Sequence, residues 1–207
     1  MPHPLRHALA VAAATAIALG APAARAADDE QAHHHHHHAK PAAGYARQLA
    51  SYRLPELSLV RSDGGTVGLV GELDDGRPVV LNFIFTSCTA VCPVLTQSMA
   101  EFRRKLGADA AAVHLVSISI DPQYDTPARL RAYAVPFGAD RAWTFLTGSS
   151  AASVSTQKAF QAYFGDKMHH RPMTFMRAAP AQPWLRLEGF VTPDELLKEY
   201  RRLVAAP

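Results

Sequence analysis

The stretch Pro78-Val79-Val80-Leu81-Asn82-Phe83-Ile84-Phe85-Thr86-Ser87-Cys88-Thr89-Ala90-Val91-Cys92-Pro93 changes its period halfway, and that change sets the fold. Residues 78–85 form a nearly unbroken apolar run, the mark of a strand buried on both faces. Beyond Thr86-Ser87 the apolar positions become Val91, Leu95, Met99, Phe102 and Leu106, with Glu101, Arg103, Arg104 and Lys105 between them. That is helical spacing. Pro93 suits the first turn of such a helix, where its missing N–H is not needed. Gly107 ends it. Both cysteines of the chain therefore fall at a strand-to-helix junction.

Working outward, the folded domain is expected to open near Leu54 with a small hairpin: Leu57 to Val60, a turn at Asp63-Gly64-Gly65, then Thr66 to Val70. Asp74-Asp75-Gly76 makes a further turn before the central strand. Downstream, Val113 to Ile120 reads as a second buried strand, in which His114 is a core or edge histidine with a satisfied hydrogen bond. Asp125 or Thr126 caps a helix running to about Phe137. Trp143 to Leu146 is a short strand, 151–164 a helix, and 172–176 and 184–190 are two strands close in sequence. Thr192-Pro193-Asp194-Glu195 caps a last helix carrying Leu196, Leu197, Tyr200 and Leu203. This order predicts an α/β, thioredoxin-like fold: a mixed central sheet flanked by helices, with an N-terminal β-hairpin, over residues 54–207.

Ahead of it, Arg6, the apolar run Ala8 to Gly20 and the small-x-small site Ala24-Arg25-Ala26 read as a signal peptide over residues 1–26. The apolar run is shorter than the ~20 residues that span a bilayer, so an uncleaved anchor is the second reading. Residues 27–53 are a polar linker, and within it His33 to His38 is either a native metal-collecting tract or an affinity tag. Cleavage would remove Arg6 and Arg25 from a formal charge of +3, leaving +1 with no basic cluster. No nucleic-acid partner is expected of such a chain. The membrane is met only through a partner or an uncleaved signal.

The chemistry rests on Cys88 and Cys92. A disulfide between them would close a tiny loop and stabilise little, so a structural staple is the weak reading. A helix N-terminus offers unpaired N–H groups and partial positive charge, which lower a thiol pKa. In helical geometry an i, i+4 pair stands with Cβ atoms ~5–6 Å apart, wider than the ~3.5–4.5 Å a disulfide prefers. Three intervening residues therefore favour a metal without excluding a redox pair. Two thiolates and one imidazole suit Cu(I), whereas structural zinc asks for four protein ligands. Outside the leader and the tract, the histidines that can complete the set are His114, His169 and His170. The adjacent pair stands in Met168-His169-His170-Arg171-Pro172, just before a strand. Met168 and Met173 offer thioether sulfur but are more commonly packing residues.

The segment Phe83 to Pro93, with its CxxxCP core, resembles the SCO/SenC copper proteins. Ser117-Ile118-Ser119-Ile120-Asp121-Pro122 with Asp125-Thr126-Pro127 is similar to a second block of that family, and Trp143 to Ser149 to a third. The likeness runs in order from about Leu54 to Leu203. It implies His170 as the third ligand, because the family's histidine precedes a strand and lies five residues before an aromatic, here Phe175. His169 occupies the place of a family acid and stands as the alternative ligand. Asp121 matches a family acid beside the site, as a shaping or partner-contact residue.

The resemblance implies a periplasmic copper chaperone that holds copper, as Cu(I) and with Cu(II) left open, on Cys88, Cys92 and His170. Such a chaperone delivers copper to, or prepares, the copper-site subunit of a respiratory cytochrome c oxidase, alongside other periplasmic copper carriers. No turnover chemistry is needed. The alternative is a thiol–disulfide oxidoreductase in which Cys88 and Cys92 form the redox-active pair and reduce partner cysteines. A peroxidase is a third reading: Thr89 stands three before Cys92, but the upstream proline of a peroxidase motif is missing.

Overall fold

The computed structural model describes residues 44–205. The predicted signal peptide and the histidine tract lie outside these residues. The elements are β1 (Tyr45–Ala50), β2 (Ser58–Arg61), β3 (Thr66–Gly68), α1 (Leu69–Leu73), β4 (Val79–Ile84), α2 (Val91–Leu106), β5 (His114–Ser119), α3 (Pro127–Ala134), β6 (Trp143–Thr147), α4 (Ser150–Ala159), β7 (Met173–Arg177), β8 (Trp184–Gly189) and α5 (Pro193–Val204). They build one eight-stranded sheet in the order β1-β8-β7-β4-β5-β6-β2-β3. β4, β5 and β6 are parallel to one another, and every other pairing is antiparallel. This is the mixed, helix-flanked, thioredoxin-like sheet expected from the sequence.

All six residues of β4 are buried because β5 and β7 pair its two edges and helices cover both faces. Val80 and Ile84 face a core built with Met99, Phe102, Leu130, Leu196 and Tyr200, from α2, α3 and α5. Val79, Leu81 and Phe83 face the other core, with Leu69, Leu73, Phe160 and Phe175. Alternation along a strand thus feeds two layers at once. The burial of each such side chain contributes about 1.5–3 kcal/mol. Asn82, buried between them, accepts a hydrogen bond from Ser117 Oγ at 2.7 Å, and Ser117 accepts one from Trp143 Nε1 at 3.0 Å.

Four boundaries differ from the sequence reading. The expected linker to residue 53 is already sheet at Tyr45–Ala50, where β1 pairs antiparallel with β8. Most of its side chains are exposed, so no period-2 pattern betrays it. Its anchor is the buried Glu199, which accepts from Tyr45 Oη at 3.0 Å and Arg47 Nε at 2.9 Å. The strand expected over 66–70 stops at Gly68, and Leu69–Leu73 turns helical so that Leu69, Glu72 and Leu73 become buried. The helix expected over 125–137 is α3 followed by a 3₁₀ turn over Val135–Phe137, with Thr126 as the cap. α4 ends at Ala159 rather than near Phe164, and Gln161 just beyond takes a positive φ of 54°. At α5 the Thr192–Glu195 capping box forms as the sequence suggests. Among the described residues no helix is long and apolar enough to cross a membrane.

Candidate metal centre

The parallel strands all point their C-terminal ends at one edge of the molecule, and β4 delivers the cysteine turn there. The N-cap residue of α2, Ala90, offers no side chain to cap it. Cys88 fills part of that role: its sulfur accepts the Cys92 N–H at 3.4 Å, while its own N–H donates to Phe85 O at 3.1 Å. Both cysteines are free thiols, Cys88 partly exposed and Cys92 fully buried. Burial alone would raise the Cys88 pKa, but the N–H groups of Cys92, Ala90 and Val91 and the Cys92 thiol together hold it below the ordinary thiol value. Cys92 goes the other way. Burial pushes its thiol far up, aided by Cys88 and by the carboxylate of Asp125.

Asp125 is the hidden support of this turn. It is fully buried, and its two oxygens accept from Thr86 N at 3.2 and 3.1 Å, from Thr86 Oγ1 at 2.5 Å and from Ser119 Oγ at 2.6 Å. Asp125, two residues before α3, therefore joins the ends of β4 and β5. Every partner is a donor, which is what an acceptor-only carboxylate requires. On the helix side, Thr96 Oγ1 donates to Cys92 O at 2.8 Å and lies 2.9 Å from Tyr133 Oη. Burial raises the Tyr133 pKa, so the phenol stays protonated.

His170 arrives at the same end of β4. Its Nε2 lies 3.2 Å from the Phe83 carbonyl. A carbonyl only accepts, so Nε2 carries the proton of the neutral ring and Nδ1 keeps its lone pair. That Nδ1 is buried and has no hydrogen-bond partner. Burial lowers the His170 pKa, against the Phe83 carbonyl, which raises it. The ring is thus neutral at neutral pH, the state a metal ligand needs. His169 is exposed beside it, Met168 is 72 % exposed, and Met173 is fully buried in β7 as packing. Asp121 at the end of β5 pairs with Lys167 Nζ at 2.5 Å.

Cys88 and Cys92 are brought together. His170 shares their end of the sheet, yet among the described residues no group of three or more His, Cys, Asp or Glu stands close enough to hold a metal ion. The residue types nonetheless fit a soft cation: two thiols at a helix N-terminus, and a neutral imidazole whose unpartnered nitrogen lacks a donor. His114, the other internal histidine, lies at the opposite end of the strands. Its Nε2 is 2.8 Å from Thr144 Oγ1 and 3.5 Å from Glu72 Oε1, and its Nδ1 is 3.0 Å from Asp75 Oδ2, out of line for a hydrogen bond. There it lines a polar cavity of about 600 Å³ with Arg61, Glu72, Asp75 and Arg77. The sequence reading takes Asp125 as a possible cap and as part of a family-like block, with no site role, and leaves Lys167 unremarked. The Asp-Thr-Pro run after a strand marks Asp125 locally, but nothing local pairs it with Thr86.

A dithiol turn at the head of a helix, on a mixed sheet of this order, defines a thioredoxin-like protein equipped for thiol or soft-metal chemistry. The sequence profile of the family SCO1/SenC matches residues 54–205, and the chain belongs to that family. The SCO1 protein homolog of Bacillus subtilis (strain 168) is 34 % identical over 116 residues, covering 54 % of this chain and 58 % of that protein. The match thus spans little more than half of that relative's length. Among solved structures, Bradyrhizobium japonicum ScoI with copper bound aligns with a TM-score of 0.61 and 25 % identity, over 72 % of this chain and 98 % of that one. BsSco, a member of the Sco family of cytochrome c oxidase assembly proteins, aligns with a TM-score of 0.64 and 24 % identity, over 78 % of this chain and 99 % of that one.

Proposed function

We propose that this protein is a periplasmic copper carrier that holds copper on Cys88, Cys92 and His170 and hands it to the copper-site subunit of a cytochrome c oxidase. Family membership supports the general role, as does the copper bound to Bradyrhizobium japonicum ScoI. The observation that carries the metal reading over a purely redox one is His170. A half-buried imidazole whose buried Nδ1 lone pair is unpartnered, at the same end of the sheet as the dithiol, has no task in thiol exchange. The export signal read over residues 1–26 supports the compartment.

The chain's own groups divide the work. Cys88, with its lowered pKa and partial exposure, is the thiol that ionises more readily and that a Cu(I) donor meets first. Cys92 must give up its proton to join, so loading releases a proton and tightens as pH rises. Phe83 holds the Nε2 proton of His170 and keeps the other nitrogen available. Copper as cargo supplies the soft acid that keeps two thiols reduced in an oxidising compartment, and it leaves by ligand exchange with thiols or thioethers of the partner. The test is a Cu(I) titration of the reduced protein against a chelator strong enough to strip the histidine tract. One tightly bound equivalent, weakened by His170→Ala, supports the reading; unchanged affinity in that variant points to His169 or to a redox role.

The asymmetry of the two thiols supports a second reading. The Cys88 thiolate would attack a partner disulfide and release one partner thiolate. Cys92, giving its proton to water, would then attack Cys88 Sγ and free the second. The partner gains two electrons, and the Cys88–Cys92 pair is left as a disulfide.

A further inference from the structure

Residues 165–172 carry His170 into β7, and little apolar packing holds their outer turn. The 3₁₀ turn Lys167–His169 contains no buried residue. Its internal bonds run from Met168 N to Asp166 Oδ1 at 2.9 Å, from His169 N to Asp166 O at 3.0 Å and from His170 N to Lys167 O at 3.1 Å. These fix the shape of the turn, not its place on the body. At the far end, Arg171 meets Glu188 at 3.2 Å, but with its side chain 63 % exposed. Exposed pairs of that kind contribute little.

Lys167 differs from Arg171 in what it touches. Its ammonium lies 2.5 Å from Asp121 Oδ2, a carboxylate on a side chain only 13 % exposed, and 5.7 Å from the centre of the Phe85 ring. Asp121 follows the end of β5. Phe85 is the stem of the cysteine turn, since its carbonyl accepts the Cys88 N–H. One cation on the histidine turn thus meets both the carboxylate that follows β5 and the ring at the stem of the cysteine turn.

We infer that Lys167 is a positioning residue for His170: bridging Asp121 and Phe85, it docks the histidine-bearing turn against the cysteine turn before copper arrives. The inference rests on the copper reading above and deepens it. The physical gain is preorganisation. Ordering a turn during binding subtracts from affinity, and a turn already docked avoids that loss. Lys167 touches no cargo itself, so its effect is felt only when His170 is a ligand.

That condition makes the test specific. Cu(I) affinity is measured by chelator competition on the reduced full-length protein, for Lys167→Ala and Lys167→Arg, each with His170 present and with His170→Ala. Hydrogen exchange at the Met168, His169 and His170 amides is followed in the metal-free protein. Lys167→Ala is expected to weaken Cu(I) binding roughly two- to fivefold when His170 is present. It should change nothing in the His170→Ala background, Lys167→Arg should retain the affinity, and the three amides should exchange faster in Lys167→Ala. Equal weakening in both backgrounds overturns the role, because the ammonium would then act only as a charge near the thiolates. Unchanged affinity or unchanged exchange in Lys167→Ala overturns it as well. A His170→Ala protein that binds Cu(I) as tightly as the parent instead removes His170 from the ligand set, and so the copper reading as stated, a failure visible without any Lys167 variant.

Discussion

Each end of the parallel strands holds a histidine drawn into the fold, His114 fully buried and His170 half-buried, and the two serve different ends. At the N-terminal end, His114 is ringed by Thr144, Glu72 and Asp75, with Arg61 and Arg77 beyond them. At the C-terminal end, His170 has one backbone carbonyl on Nε2 and nothing on Nδ1. Burial lowers the pKa of both rings. Neither a depressed pKa nor an Nδ1 without a hydrogen bond, which both rings share, therefore separates the two; the carboxylates that face His114 do. Polar side chains from α1, the following turn and β6 hold His114 in the frame, whereas His170 meets only a backbone carbonyl, and its other nitrogen is the one proposed to take copper.

The largest expected effect falls on the thiols of the His170 end. Cys88→Ser or Cys92→Ser should abolish tight Cu(I) binding, a loss beyond the roughly 10- to 100-fold that outer-shell changes cost. Chelator competition reads it directly. His114→Ala should leave that affinity unaltered, and a copper defect there would break the comparison between the two ends.

Next comes Asp125. Its truncation to Ala leaves the Thr86 and Ser119 donors without their acceptor inside the fold. Each unsatisfied buried group costs about 1–3 kcal/mol, so Asp125→Ala should lower unfolding stability by about 3 kcal/mol in a urea titration. A variant as stable as the parent would mean that the cysteine turn is held by packing alone.

The two histidines should then separate cleanly in a paired measurement. His114→Ala should destabilise by about 1–3 kcal/mol, because Thr144 loses its partner inside a charged cluster. His170→Ala should cost under about 1 kcal/mol of stability, since only one bond to a backbone carbonyl goes. If the costs are reversed, the assignment of frame residue and proposed ligand is reversed with them.

The smallest effect is on pH dependence. A histidine whose folded pKa lies below its unfolded value, near 6.5, binds more protons unfolded than folded in the window between the two. Its contribution to stability is complete above about pH 6.5 and is lost as pH falls through that value towards the folded pKa. The Tm of the parent should accordingly drop between pH 7 and pH 5. His114→Gln should flatten part of that slope, and a parallel curve in that variant would place the titration elsewhere.

What the residues determine by themselves is everything with a local period. The run 78–85 and the helical spacing from Val91 fix a buried strand, a turn and a helix, and with them the place of both cysteines. The Thr192 capping box is equally local. β1 escapes because an edge strand with mostly exposed side chains carries no alternation, and its evidence is the pairing with β8, far along the chain. Asp125 meets Thr86 across 39 residues, Lys167 meets Asp121 across 46, and His170 meets Phe83 across 87. Such meetings depend on which strands become neighbours and in what register, and a hydrophobic period specifies neither. Local sequence placed the thiols at the head of a helix; only the packed sheet decided which carboxylate, ammonium and imidazole would share their end of the strands.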